Sequence, residues 1–190
     1  ELDVQITVEG PEIPILDGSA LPWAEALESN GSKQTPRFVK VLEEVKLELA
    51  GSLAKIAPIG PEVTPSIRAE IEYEGSVLCR QEATYYPLSS SFIREVALAR
   101  TFAFESDVDQ IRSRGLGIGG SLDNALVIGT DGPLNPGGLR IDNEPARHKL
   151  LDALGDLFLL GGIPWAKVEL KRPGHNLMHA LVKQMKTLCQ

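Results

Sequence analysis

The chain has little that would let it bind by bulk charge, cross-link itself or span a membrane. Basic side chains are outnumbered, 19 Lys and Arg against 26 Asp and Glu, for a formal net charge of −7. Non-specific nucleic-acid binding runs on basic surface, so the balance argues against a nucleic-acid partner, and an anionic ligand would need a local basic cluster. Arg140, Arg147, Lys149, Lys167, Lys171 and Arg172 supply candidates for one. The only cysteines, Cys79 and Cys189, form no metal-type or redox-type spacing and fit a reducing compartment. The longest apolar-looking run, residues 157–166, is broken by Gly161, Gly162 and Pro164, far short of a transmembrane segment. No signal or transit segment, repeat or low-complexity stretch is visible. The sequence opens on Glu1 with a strand-like pattern already under way, which is expected of a fragment or processed product.

What is present is ordinary for a globular protein: 190 residues, 43% hydrophobic and 24% charged, enough for one domain or two small ones. Residues 2–8 alternate apolar and polar as a half-buried strand does. Ser19 is placed to cap a short helix over 23–27 whose first turn accepts Pro22. Residues 30–36 are the most linker-like stretch and mark a domain boundary. Beyond them, residues 38–49 read as a strand with a break near Glu43 and Glu44. Residues 52–57, 66–73 and 77–86 continue what is expected to be a meandering antiparallel sheet. Short helices follow at 91–99 and 108–114, then a strand at 121–129 and a Gly/Pro-rich loop. A helix over about 143–160, a strand at 166–170 and a helix over about 176–188 end the chain. Strands first and helices later predict an α+β fold and not a doubly wound parallel sheet.

The most informative stretch is Arg147-His148-Lys149-Leu150-Leu151-Asp152-Ala153-Leu154-Gly155-Asp156. On a helix, His148, Asp152 and Asp156 fall four apart and line one stripe, with Lys149 beside them, while Leu150, Leu151, Leu154, Leu157 and Phe158 form the opposite arc. An imidazole and a carboxylate one turn apart can share a divalent metal. The same spacing also fits a solvated helix face. His175 follows Pro173-Gly174 at the start of the last helix, where a loop-held imidazole can reach into a cleft. His179, one turn on, reads as a polar surface residue. Gly115-Leu116-Gly117-Ile118-Gly119-Gly120 satisfies G-x-G-x-x-G, but a dinucleotide site needs a strand before it and a helix after it. Here the order is reversed, so the glycines are assigned to tight turns or to close approach of an extended ligand.

Several blocks taken together resemble the UDP-3-O-acyl-N-acetylglucosamine deacetylase family, the zinc hydrolases of lipid A (lipopolysaccharide) synthesis. They are residues 10–20, Ala99-Arg100-Thr101-Phe102, residues 112–116 and 119–124, Leu134-Asn135 with Gly138-Leu139-Arg140, residues 147–156, and Gly174-His175. They occur in the family's order over nearly the whole chain, and the His-Lys-x-x-Asp-x-x-Gly-Asp block is the most specific. The resemblance implies two similar α+β domains whose helices are sandwiched between sheets. Residues 1–35 would be the tail of the first domain, and 36–190 a second domain with an inserted β-α-β unit at about 101–131.

The resemblance further implies a Zn2+ cofactor, with His148 and Asp152 as the ligands from this chain. The third ligand and a glutamate base belong to a Glu-His pair in the first domain. No Glu-His dipeptide occurs in the sequence, so the pair is expected upstream of Glu1, and the chain is expected to be inactive without that segment. His175 would be the acid that stabilises the oxyanion and protonates the leaving nitrogen, with Asp156 holding it. Thr101 would offer a hydroxyl to the oxyanion, and Lys149 would face the anionic substrate. The inserted unit would form an acyl passage lined by Phe102, Val108, Gly117, Ser121, Ala125 and Val127, with Ile118 nearby. A second departure, Pro145-Ala146 before Arg147, is placed to shift the start of the metal helix. Partners would be the substrate UDP-3-O-acyl-N-acetylglucosamine and the missing first-domain segment. The location would be the cytoplasm of a bacterium or an organelle of bacterial descent. Two rival functions are a non-catalytic domain that binds acyl chains or nucleotide sugars, and an unrelated metalloprotein using His148, Asp152 and His179.

Overall fold

Alternation of apolar and charged residues builds the main sheet, and two amphipathic helices cover its apolar face. The computed structural model describes residues 2–3, 5–10, 13–30, 32–33, 37–73, 75–115 and 117–188. In chain order the elements begin with β1 (Leu2–Asp3), α1 (Leu21–Asn30), β2 (Ser32–Lys33), β3 (Phe38–Lys40), β4 (Val45–Leu49), β5 (Ser52–Pro58), β6 (Ser66–Glu72) and β7 (Arg80–Tyr85). A π-helical turn (Ile93–Ala97), β8 (Phe102–Phe104), a 3-10 turn (Glu105–Asp107), α2 (Val108–Ser113), β9 (Leu126–Gly129) and β10 (Gly132–Pro133) come next. The chain closes with α3 (Glu144–Phe158), β11 (Ile163–Lys171) and α4 (His175–Leu188).

Helices and mixed sheets make this an α+β fold, as expected. The antiparallel meander needs correcting. The main sheet runs β4-β5-β11-β6-β7, and β3 pairs with the start of β11. β11 lies antiparallel to β5 but parallel to β6, so the hairpins β4-β5 and β6-β7 flank a strand that arrives about a hundred residues later. Local patterning cannot reveal such an insertion, because it depends on long-range pairing. Ala54 and Ile56, Ile67, Ala69 and Ile71, Ala83 and Tyr85, and Ala166, Val168 and Leu170 point to one buried face. On it pack Leu150, Ala153, Leu154 and Leu157 of α3 and Leu177, Met178, Leu181 and Met185 of α4. The opposite face carries charge, with Arg68 paired to Glu82, Arg80 to Glu70 at 2.9 Å and Lys167 to Glu169 at 3.1 Å.

A smaller sheet, β10-β9-β8, sits beside the main one. β8 and β9 are parallel with α2 in the connection, a β-α-β arrangement. Its Leu126 and Ile128 form a satellite core with Leu78, joined to the main core through Phe102. Tyr73 meets Phe104 edge-on at 4.8 Å across the junction.

Other local differences have local causes. The strand expected over 2–8 is regular only at β1, and Ile6 and Val8 are 52% and 39% exposed, with no sheet to bury them among the described residues. The helix expected at 91–99 is a single π-helical turn. The strand expected at 121–129 begins only at Leu126, because Asn124 Oδ1 accepts the Ser121 N–H at 2.9 Å and folds the preceding residues into turns. Ser19 does serve α1, its Oγ accepting the Leu21 N–H at 3.3 Å. Residue 4 of the first strand, 31 and 34–36 of the linker-like stretch, Leu116 of the glycine run and Cys189 lie outside the described residues.

Candidate active site

α3 presents the charged stripe that its sequence encodes. Asn143 enters in a left-handed conformation, and Pro145 occupies the first turn, where its missing N–H is not needed. The helix begins at Glu144, and Ala146 is fully buried against the core. One turn on, His148 is buried, and its Nδ1 lies 3.1 Å from the Ala99 carbonyl oxygen. A carbonyl only accepts, so Nδ1 carries the proton and Nε2 presents a lone pair. Burial pushes the His148 pKa down, against the pull of the Asp152 charge, and so favours the neutral ring. Nε2 then faces Asp152 Oδ1 at 3.3 Å. These are two buried or half-buried acceptors with no proton of their own between them. Asp152 Oδ2 accepts from Lys149 Nζ at 3.0 Å, and that ammonium also lies 5.5 Å from the Phe102 ring centre.

One turn further, Asp156 gathers two imidazoles from α4. Its Oδ2 is 2.8 Å from His175 Nδ1, and its Oδ1 is 3.2 Å from His179 Nε2. Asp156 is buried, whereas the His175 and His179 side chains are 62% and 58% exposed. The surface reading of His179 is therefore incomplete: the ring is exposed, but it is tied to a buried carboxylate. Ligand atoms of Asp156, His175 and His179 lie within 4.8 Å of one another, close enough to hold a cation as a group. His179 joins this cluster and not a group with His148 and Asp152, contrary to the unrelated-metalloprotein reading.

A lock that sequence reasoning missed sets the height of α3 against the segment 99–101. Glu144 Oε1 accepts from the Arg100 backbone N–H at 3.0 Å and from Arg100 Nε at 2.8 Å, and Oε2 accepts from Arg100 Nη2 at 3.0 Å and the Arg140 N–H at 2.7 Å. Burial works to raise the Glu144 pKa, but the Arg100 side chain and these N–H groups outweigh it and hold the carboxyl below its usual range. The same segment is gripped from the other side, with the Thr101 N–H donating to Gly18 O at 2.7 Å. Gly18 has φ +80, and a Cβ there would stand 2.0 Å from Asn124 O, so only glycine allows this approach. The Gly18 turn is tied down by Arg140 Nη1 on Asp17 Oδ2 at 2.5 Å. Asp17, Gly18 and Arg100 all stood in the matched blocks, whereas Glu144 had no spacing signal.

The arrangement sets the His148–Asp152 pair of α3 beside an Asp156–His175 pair that bridges α3 and α4, with the segment 99–101 braced against α3. A family model for UDP-3-O-acyl N-acetylglycosamine deacetylase matches residues 2–187. The chain belongs to this deacetylase family. It is 40% identical over 184 residues to the UDP-3-O-acyl-N-acetylglucosamine deacetylase of Neisseria gonorrhoeae, covering 94% of this chain and 59% of that protein. Against the same-named proteins of a Geobacter species and Campylobacter fetus, identity is 37% over 183 residues and 36% over 179. Those matches cover 60% and 61% of the relatives. The chain thus spans under two thirds of the length of the curated family members it matches.

The residues assigned to the deacetylase acyl passage divide in space. Phe102 registers with Leu126 and Ala103 with Val127, so Phe102 shares a face with the satellite core while Val127 lies on the other face. Phe102 instead adjoins the metal-type pair, its ring 6.5 Å from that of His148. Val108 is half-buried at the start of α2, and Ala125 is half-buried just before β9. Gly117 and Ser121 are exposed, as is Ile118 at 79%. Asn135, buried and missed as a determinant, secures this unit by accepting the Val127 N–H at 2.8 Å and donating to Leu122 O and Ala125 O. Among the described residues no helix is long and apolar enough to cross a membrane.

Proposed function

We propose that this chain is the second-domain part of a zinc-dependent hydrolase that removes acetate from UDP-3-O-acyl-N-acetylglucosamine, the committed step of lipid A synthesis, in the cytoplasm. The observation that carries the reading is the apposition of His148 Nε2 and Asp152 Oδ1 at 3.3 Å. Zinc bonds of about 2.0–2.1 Å in tetrahedral geometry separate two ligand atoms by about 3.3–3.4 Å, so these donors fit one ion. When bound, zinc would polarise the amide carbonyl and bring the pKa of a bound water to about 7.

This chain's residues supply four further parts. Ala99 O orients His148, and Lys149 steadies Asp152 while facing the anionic substrate. Asp156 holds His175 by Nδ1, so His175 Nε2 is the atom that carries the mobile proton to the departing nitrogen. The Thr101 hydroxyl donates to the developing oxyanion. The third ligand and the glutamate base come from a Glu-His pair in a first domain. Residues 1–35 belong to that domain, 36–190 form the second, and the β-α-β unit at about 101–131 guides the 3-O-acyl chain along Val108, Gly117, Ser121, Ala125 and Val127.

The test is acetate release from UDP-3-O-acyl-N-acetylglucosamine by the full-length protein that carries this chain. Asp152→Ala should abolish it together with the metal, and His175→Ala should cut turnover about 10²–10⁴-fold with the metal retained. Undiminished release by Asp152→Ala would contradict the reading.

A further inference from the structure

His179 is the polar group that this mechanism leaves without a task. It stands one turn beyond His175 on α4, yet both rings hold the same carboxylate, His175 on Oδ2 at 2.8 Å and His179 on Oδ1 at 3.2 Å. The ring centres are 5.9 Å apart with planes inclined by 36°. An ionised carboxylate has no proton to give, so both nitrogens donate. Each carboxylate oxygen is thereby committed to a different imidazole.

We propose that His179 is a positioning residue for the acid His175. It pins the far oxygen of Asp156, which fixes the oxygen that aims the His175 ring, and it draws charge out of the shared carboxylate. The inference rests on the assignment of His175 as the acid. Pinning matters because the Asp156 side chain is otherwise free to turn about its terminal torsion, which is soft for a carboxylate. Drawing charge matters because a carboxylate that is already donated to supports an imidazolium less strongly. His175 therefore releases its proton more readily with His179 present than without it. Among the described residues, the groups facing His179 are Asp156 from α3 and, on its own helix, His175 and Lys183 one turn away on either side, with Lys186 along the same groove. The strands β4 and β5 beneath α4 carry Lys46, Glu48 and Lys55, which alternate onto the far face of the sheet. None of those three intervenes.

Two variants of the full-length protein separate the bond from mere bulk. His179→Leu removes the donor, whereas His179→Gln keeps an N–H at similar reach. His179→Leu should lower kcat roughly tenfold with KM unchanged, the scale of a hydrogen bond to a charged group. It should also move the basic limb of the kcat/KM profile to higher pH, since His175 then keeps its proton longer. His179→Gln should restore both. A Leu variant with wild-type kcat and pH profile, or Leu and Gln variants equally impaired with an unmoved profile, would overturn the proposal while leaving the deacetylase reading intact. A wild type that releases no acetate would overturn both. Long-range 1H–15N correlation spectra of the chain itself test the bond without any activity. Neutral His179 should carry its proton on Nε2, and a proton found on Nδ1 would overturn the proposal.

Discussion

His148 and Asp152 have the same task in this account, and His175 has a different one. His148→Ala and Asp152→Ala should lose bound metal and turnover together. His175→Ala should retain the metal and lose about 10²–10⁴-fold in kcat, the usual contribution of a general acid. Metal content by atomic emission beside kcat separates the two classes, and zinc loss in His175→Ala would make that residue a ligand. Glu144 gives an expectation about stability. Its folded pKa is depressed, so its contribution is complete above the ordinary value of about 4.3 and is lost as pH falls through the folded value. Glu144→Gln should cost about 3–5 kcal/mol, because it leaves Arg100 buried without its countercharge. Denaturant unfolding against pH should also show the variant's acid limb flattened, and an unchanged curve would refute the role of this lock. At this scale the sequence was legible where the site follows helical spacing, as with the stripe of His148, Asp152 and Asp156. Glu144 was not legible, because its partner Arg100 lies 44 residues away in sequence. The reading of His179 as a surface residue was right about its exposure and missed its bond to Asp156, because a histidine one turn from another on an amphipathic helix looks the same whether or not a buried acid faces it.

Helix α3 was readable from its apolar arc and charged stripe, and α4 and most of the strands were legible as elements. β11 was legible as a strand but not as the one that separates two hairpins, since pairing order is a property of the assembled sheet. The proposed acyl passage belongs to this scale too, and Phe102 and Val127 of its candidate lining fall on opposite strand faces. Gly117 is a poor probe, because φ +61 strains any side chain placed there. Val127 is better placed, half-buried on the face of β9 away from the satellite core. Val127→Phe should impair long 3-O-acyl substrates and spare short ones, since each methylene denied burial forfeits about 0.8 kcal/mol. Comparison of kcat/KM across acyl lengths checks this, with thermal melting to confirm folding. Equal slowing at every length would place the passage elsewhere.

For the whole molecule, the resemblance carried by ordered blocks of sequence foretold the family that the comparisons show. The blocks could not reveal how the site is braced, because the bracing is made of backbone atoms such as Ala99 O, Gly18 O and the Arg100 N–H. The central claim is that α3 offers two of three protein ligands and that a first domain completes the set. Metal stoichiometry after exhaustive dialysis tests it most directly, measured on this chain alone and on the full-length protein. The chain alone should hold no zinc at His148 and Asp152, because two side-chain ligands leave that site incomplete. The full-length protein should keep one zinc per molecule and lose it on His148→Ala. Tightly held zinc in the chain alone that is lost on His148→Ala, or retention in full-length His148→Ala, would contradict this assignment.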